Sequence, residues 1–233
     1  MRDRATSFGA HADAYERARP GYPEAALRFC LPAGARDVLD LGAGTGKLTR
    51  GLLALGLAVT AVEPLPEMRA HLPTSARALD GSAEAIPLPD ASVDAVLAGQ
   101  AFHWFDADRA LPEIARVLRP GGTLGLLWNR LDDRVPWVAE IADIVKEEAH
   151  LTGTVPPYSG APGLADPVHR EFEWAHEADA DLVAERIGTS SLVILMDADE
   201  RAAALARARA AVPPGSFSLP YVCHAWRGER TGA

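Results

Sequence analysis

The sequence of 233 residues has few cysteines, no long apolar run and no basic segment. Its two cysteines, Cys30 and Cys223, lie far apart and form no CxxC motif, which predicts free thiols and a reducing, cytoplasmic environment. No run of about 18 apolar residues is present, so we expect no membrane span. The stretch MRDRATSFGAHADAY lacks the apolar core of a secretory signal.

Positive charge is scarce as well. The chain has 23 Lys and Arg residues against 32 Asp and Glu residues, which gives a formal net charge of -9. Binding to nucleic acids depends on basic surface that neutralises phosphates, so we expect no DNA or RNA partner. The histidines show neither HxxxH nor CxxH spacing, from which we predict no metal site.

Apolar runs alternate with amphipathic helical patterns from about residue 22 to 150. This alternation predicts an α/β fold with a mostly parallel sheet and helices on both of its faces. Strands are predicted at 37–42, 58–64, 93–99, 123–129, 169–178 and 217–228, with a weaker one early in 76–89. Helices are predicted at 47–56, 66–72, 106–122, 135–150, 180–190 and 198–211, and a loop that borders a pocket at 152–170. Pro120-Gly121-Gly122 is expected to end the helix that starts at 106.

The stretch VLDLGAGTGKLT, residues 38–49, could belong to three kinds of nucleotide site. A phosphate-binding P-loop that ends at Gly46-Lys47 needs Gly at 41 and Ser or Thr at 48, but both positions are Leu. A dinucleotide fingerprint GxGxxG needs Gly at 47, which is Lys. The spacing therefore argues against both phosphate-binding loops.

The third possibility is a loop that binds S-adenosylmethionine. Gly42, Gly44 and Gly46 form GxGxG, and closely spaced glycines let a backbone approach the methionine part of that molecule. Asp40 is placed to accept from its ammonium group, and Glu63, at the end of the second strand, is placed to accept from both ribose hydroxyls.

Four segments together resemble the class I S-adenosylmethionine-dependent methyltransferases, in particular their type 11 small-molecule group. They are VLDLGAGTG, VTAVEPLPEM, GSAEAIPLPDASVDAV and ALPEIARVLRPGGTL, in this order. The resemblance implies a seven-stranded sheet of order 3-2-1-4-5-7-6, in which strand 7 is antiparallel. It also implies one domain over 1–233, with an N-terminal lid over 1–30 and a substrate-side insertion with late helices over 130–216.

The resemblance further implies roles for individual residues. The sequence AFHWF places His103 and Trp104 towards the methyl-transfer region, as in a subgroup similar to trans-aconitate methyltransferase. His103 is the candidate catalytic residue, as a general base or as a hydrogen-bond partner of the substrate. The implied cofactor-binding residues are Tyr15, Arg19, Asp40, Gly42, Gly44, Gly46, Glu63, Pro64, Ser82, Ala83 and Gln100, with Tyr22 as a further aromatic residue of the lid.

The acceptor is expected to be a small molecule, in analogy with the subgroup. A carboxylate acceptor needs no base but needs donors, for which Arg130, Arg134 and His103 are the candidates, with Trp104 as a pocket wall. The expected product of the cofactor is S-adenosylhomocysteine, and the expected state is a monomer or a homodimer. The alternatives are a sensor or scaffold that binds S-adenosylmethionine without catalysis, and a nicotinamide-dependent oxidoreductase, which the early third glycine disfavours.

Overall fold

The computed structural model describes residues 12–145 and 156–232. The described strands are β1 Asp37–Leu41, β2 Ala58–Val62, β3 Arg77–Leu79, β4 Val93–Gly99, β5 Leu118–Leu131, β6 Val168–Ala178 and β7 Phe217–Glu229. The described α-helices are α1 Ala12–Ala18, α2 Glu24–Cys30, α3 Lys47–Ala54, α4 Pro66–Arg69, α5 Ala107–Val117, α6 Pro136–Val145, α7 Ala180–Gly188, α8 Ser191–Ile194 and α9 Ala198–Ala211. None of these helices is long and apolar enough to cross a membrane.

The strands form one sheet of order β3-β2-β1-β4-β5-β7-β6, which confirms the predicted topology with an antiparallel β7. The pairs β2–β3, β1–β2, β1–β4 and β4–β5 are parallel. Parallel strands end at the same edge of a sheet, and ligands of open α/β folds bind outside these carboxyl ends. The segments after β1, β2 and β4 therefore meet at one edge.

The boundary between α5 and β5 differs from the prediction. The helix ends at Val117 and the strand begins at Leu118, so Pro120-Gly121-Gly122 lies within β5 rather than ending a helix. The register explains this, because β4 pairs Val93 with Leu118 and then Ala95 with Thr123, with a bulge between. A bulge accommodates the proline and glycines that a continuous ladder would not.

The chain divides into two compact units. The larger unit contains the described residues 21–128, 156–172 and 223–232, and its core lies between the sheet and α5. Ala110, Leu111, Ile114 and Val117 form the buried face of α5, with the spacing of a helix. The smaller unit contains the described residues 12–20, 129–145 and 173–222. Its own core combines residues of α6, α7 and α9 with Leu219 and Tyr221.

Candidate functional site

The loop between β1 and α3 is a tight turn made possible by glycines. Gly42, Gly44 and Gly46 have φ angles of 70°, 57° and 92°, in the left-handed region that favours glycine. A Cβ atom at Gly42 would lie 2.8 Å from the Cβ of Ala101, whereas a Cβ at Gly44 would meet nothing within 4 Å. Gly42 is therefore required by packing, and Gly44 borders open space.

Glu63 connects this loop to the end of β2. Its Oε2 accepts a hydrogen bond from the Gly44 N–H at 2.8 Å, and its Oε1 accepts one from the Leu65 N–H at 2.9 Å. Only 6% of Glu63 is exposed. Burial raises the pKa of Glu63, and the two N–H groups together with Arg69 limit that rise. Glu63, which is predicted to bind the ribose, is thus held rigidly beside the glycine loop.

Asp40, in β1, is fully buried below the same loop. Its Oδ2 accepts a hydrogen bond from Thr49 Oγ1 at 2.5 Å, while its Oδ1 has no hydrogen-bond partner among the described residues. Burial raises the pKa of Asp40 to about 7; the hydrogen bond from Thr49 opposes this shift and the negative charge of Glu63 adds to it. A buried carboxylate with one unsatisfied oxygen is costly, and a cation would offset that cost.

The end of β4 lies at the same sheet edge. Gln100 has a φ of 55°, an uncommon angle for a residue other than glycine, and its N–H donates to the carbonyl of Leu127 at 2.8 Å. The phenol of Tyr22 packs against Gly99, so that any Cβ there would overlap it. Residues with an uncommon backbone angle, such as Gln100, concentrate at functional sites. The geometry brings Gln100 and Tyr22 to the edge at which the glycine loop lies.

His103 follows in a short 3₁₀ turn, Phe102–Trp104. Its Nδ1 accepts a hydrogen bond from the indole Nε1–H of Trp128 at 3.5 Å, and its ring lies 4.8 Å from that of Trp104. When Nδ1 of a neutral imidazole accepts, the proton is on Nε2, which then acts as a donor. Trp128 was not among the predicted site residues, although it lies near the end of the strand that pairs with β4.

The segment after β3 contains Ser82 and Ala83, two of the predicted cofactor-binding residues. Ala83 is buried, and Ser82 forms a bridge with Ala85 and a side-chain hydrogen bond with Glu84. Glu84 Oε1 accepts from the Asp106 N–H at 3.0 Å, which fixes this segment to the start of α5. Pro64, another predicted cofactor-binding residue, is exposed directly after Glu63.

The other predicted site residues belong to the smaller unit. Arg19 donates from Nε to Thr189 Oγ1 at 3.2 Å and from Nη2 to the Thr189 carbonyl at 3.4 Å. Arg134 is exposed and pairs with both oxygens of Asp132, at 2.7 and 2.8 Å, and with Glu173. Arg130 is half-buried, and the side chain of Tyr15 lies outside the described part of the chain. Because its guanidinium already binds two carboxylates, Arg134 is a weaker candidate for a substrate carboxylate than the sequence suggested.

Comparisons with known proteins agree with this geometry. The profile of the family described as "Methyltransferase domain" matches residues 39–126. An uncharacterized methyltransferase of Mycobacterium bovis is 44% identical over 236 aligned residues, which cover 95% of this chain and 94% of the relative. A malonyl-[acyl-carrier protein] O-methyltransferase of Methylococcus capsulatus is 40% identical over 134 residues, 51% of this chain and 48% of that protein.

Among solved structures, one from Anaeromyxobacter dehalogenans, provisionally assigned as a type II methyltransferase, has a TM-score of 0.64 and 29% identity. The match covers 91% of this chain and 97% of that one. The strand order of the sheet leads to the same assignment as the mycobacterial relative, which aligns with this chain over nearly its full length at 44% identity. The chain belongs to the family of class I S-adenosylmethionine-dependent methyltransferases.

Proposed function

We propose that this protein transfers a methyl group from S-adenosylmethionine to an oxygen atom of a small-molecule acceptor, with a carboxylate as the preferred acceptor group. The observation that carries the proposal is the arrangement of Glu63 beside Gly44 at the carboxyl edge of the sheet. A buried carboxylate there suits a ribose diol, and the open space at Gly44 suits a ligand that approaches the backbone closely.

The residues present fit this cofactor. Asp40 offers a buried oxygen with no hydrogen-bond partner among the described residues, which suits an ammonium group. Glu63 would hold the ribose, and Gly42, Gly44 and Gly46 would line the methionine part. When bound, S-adenosylmethionine supplies a methyl group that its sulfonium makes electrophilic.

His103 supports a carboxylate acceptor rather than one that must lose a proton. Its Nδ1 accepts from Trp128, so in the neutral form of the ring the proton is on Nε2, which is then a donor and not a base. A carboxylate arrives already ionised and needs a donor that orients it, whereas a hydroxyl acceptor would need a base. In this proposal His103 orients the acceptor oxygen. The other residues of the site mainly position the reactants and exclude water.

One relative adds support for an oxygen acceptor. The protein of Methylococcus capsulatus is named an O-methyltransferase of the malonyl-[acyl-carrier protein], and a malonyl group carries a free carboxylate. It matches 51% of this chain. The acceptor proposed here is a small carboxylate and not a nucleic acid, in agreement with the formal net charge of -9.

The experiment is a screen for methyl acceptance with methyl-labelled S-adenosylmethionine against panels of carboxylates, alcohols and amines. Calorimetry with S-adenosylhomocysteine and with NAD runs in parallel. We expect heat with S-adenosylhomocysteine alone and label in a base-labile ester of a carboxylate. Binding of NAD alone would overturn the assignment of S-adenosylmethionine as the cofactor. Binding of S-adenosylhomocysteine without any labelled product would favour the sensor, and label on amines alone would overturn the oxygen acceptor.

A further inference from the structure

Two histidines and a glutamate of the larger unit meet on strands β6 and β7. His169 Nε2 lies 3.3 Å from His224 Nδ1, and the same nitrogen of His224 lies 3.5 Å from Glu171 Oε1. One ligand atom from each of the three residues lies within 4.8 Å of the other two. We call these three residues the β6–β7 cluster.

The strand geometry accounts for the cluster. His169 and Glu171 are two residues apart, so their side chains leave β6 on the same face. β7 is the neighbour of β6 in the sheet, and the antiparallel bridge between Leu164 and Arg230 brings the segment before β6 next to the end of β7. His224 therefore reaches the same face from the adjacent strand.

The distances match those of a tetrahedral zinc site. Zinc binds histidine nitrogen and carboxylate oxygen at about 2.0–2.2 Å, so two ligands of a tetrahedral site lie about 3.3–3.5 Å apart. Two of the three ligand pairs already have this separation. The third pair would close by a rotation of the Glu171 side chain, which is 52% exposed and therefore has room to turn.

The two imidazole rings are held in place by packing. The planes of the His169 and His224 rings are inclined by only 8°, with centroids 5.4 Å apart. The ring of His169 also lies 4.5 Å from the ring of Trp226, which is buried. The side chain of His224 is only 9% exposed. Ligands held by packing in this way lose little conformational freedom when a metal binds.

We propose that His169, Glu171 and His224 bind a divalent transition-metal ion, of which Zn²⁺ fits the donors best. Imidazole nitrogen suits zinc and its neighbours, whereas Mg²⁺ and Ca²⁺ prefer sites made of oxygen. Three protein ligands leave a fourth position for water. The ion would join the edge strand β6 to β7, separate from the residues that the proposed methyl transfer uses. It would take the place of the hydrogen bond that now joins the two rings.

This proposal differs from the prediction of no metal site. That prediction rested on the lack of HxxxH and CxxH spacing, which is typical of ligands on helices and in zinc-finger turns. The sequence HRE at 169–171 has the period of a strand, and its third partner lies 53 residues or more away in sequence on another strand. Spacing within one segment cannot reveal such a partner.

Titration of the full-length, untagged protein with ZnCl₂ after dialysis against a chelator tests the site. We expect saturable binding of one Zn²⁺ per chain by calorimetry, and with Co²⁺ the intense visible absorption of a four-coordinate ion. Glu171→Gln should weaken Zn²⁺ binding at least about 10-fold, because loss of even an outer-shell partner of a zinc ligand costs about 10- to 100-fold in affinity. Glu171 is half-exposed, so its replacement by Gln should not prevent folding. His169→Asn should weaken Zn²⁺ binding at least as much.

The matched control is His176→Asn, which removes another histidine of β6 that is outside the cluster. It should leave the affinity for Zn²⁺ unchanged, and all variants should keep the affinity for S-adenosylhomocysteine. The proposal is overturned if the parent protein shows no saturable binding of Zn²⁺. The proposal is also overturned if Glu171→Gln binds Zn²⁺ as tightly as the parent protein does and the two proteins melt at the same temperature in chelator.

Discussion

The carboxylate of Glu63 accepts a hydrogen bond from the main-chain N–H of Gly44, at 2.8 Å. This bond joins the segment after β2 to the glycine loop after β1, across the carboxyl edge of two paired parallel strands. The same carboxylate accepts from the Leu65 N–H through its other oxygen. Glu63 thus has two tasks in the proposed enzyme, since it orders the loop and offers its remaining lone pairs to the ribose.

Replacement of Glu63 should therefore weaken cofactor binding strongly. We expect Glu63→Ala to lower the affinity for S-adenosylhomocysteine about 10- to 100-fold, because hydrogen bonds to a charged group contribute about 1.5–3 kcal/mol. Calorimetric titration measures this, with Glu67→Ala, an exposed glutamate at the start of α4, as the control. An affinity within twofold of the parent would remove Glu63 from the ribose site.

The two glycines of the loop should respond differently to the addition of a methyl group. Gly44→Ala adds a Cβ in open space at a left-handed backbone angle, so its folding cost should be about 1–2 kcal/mol, while its Cβ would occupy the proposed cofactor space. Gly42→Ala would force a Cβ to within 2.8 Å of Ala101 and should lower the free energy of unfolding more.

Denaturant unfolding and S-adenosylhomocysteine titration of both variants separate the two effects. We expect Gly44→Ala to fold and to bind the ligand at least tenfold more weakly, which corresponds to about 1.4 kcal/mol or more. A Gly44→Ala variant with normal affinity would show that the cofactor does not approach the backbone there.

The sequence predicted the elements of the sheet well because its signals are local. The β1 strand, the glycine loop and α3 follow from an apolar run, three closely spaced glycines and a helical pattern that ends near Gly56. The start of β5 was missed because Pro120-Gly121-Gly122 is a usual helix-ending sequence, and only its pairing with β4 reveals a bulge. The Trp128–His103 bond and the β6–β7 cluster were missed for a related reason, since each joins residues that are distant in sequence.

The buried Asp40 should make the stability of the protein depend on pH. Its pKa is about 7 in the folded chain and near 3.8 when unfolded, so between these values the folded state holds the extra proton. Raising the pH through this window therefore lowers the free energy of unfolding. Asp40→Asn cannot ionise, so its stability relative to the parent should rise as the pH is raised from 4 towards 7.

Urea unfolding at a series of pH values measures this difference. The comparison variant is Asp108→Asn, at an exposed position of α5 where no burial of charge is relieved. The interpretation fails if the difference in unfolding free energy between Asp40→Asn and the parent stays constant over the window. It also fails if the difference changes in the opposite direction.

Arg116 should contribute more to stability than an ordinary surface arginine. Its guanidinium donates to the carbonyls of Ile86 and Leu88 and to the carboxylates of Asp90 and Glu113, so it fixes the segment before β4 to α5. A lysine cannot reproduce this fork of donors. We expect Arg116→Lys to lower the free energy of unfolding by about 1–3 kcal/mol, because partly buried carbonyls lose their donor.

The control for Arg116 is Arg28→Lys. Arg28 forms one exposed pair with Glu24 four residues away on α2, a type of pair that contributes only about 0.3–0.5 kcal/mol. Chemical denaturation of both variants gives the comparison. Equal losses in the two variants would mean that the bonds of Arg116 to the carbonyls of residues 86 and 88 contribute nothing measurable.

The hydrogen bond between Trp128 and His103 predicts how the proposed acceptor site depends on each residue. With the acceptor found in the methylation screen, His103→Ala should lower kcat/KM about 10- to 100-fold, as expected for loss of an orienting donor to a charged group. Its affinity for S-adenosylhomocysteine should stay within twofold of the parent. Trp128→Phe leaves Nδ1 without its donor, so the ring can carry its proton on either nitrogen and should lose part of the activity.

His103→Gln and His103→Asn distinguish a donor from a base in this reaction. Glutamine and asparagine can donate an N–H but cannot accept a proton at neutral pH, so one of them should restore activity if His103 orients a carboxylate. His71→Ala, at a histidine that is not among the predicted site residues, is the control. If both amide variants are as inactive as His103→Ala and the loss follows the titration of one group with pH, His103 acts as a base. The acceptor is then a hydroxyl that must be deprotonated, and the carboxylate proposal is wrong.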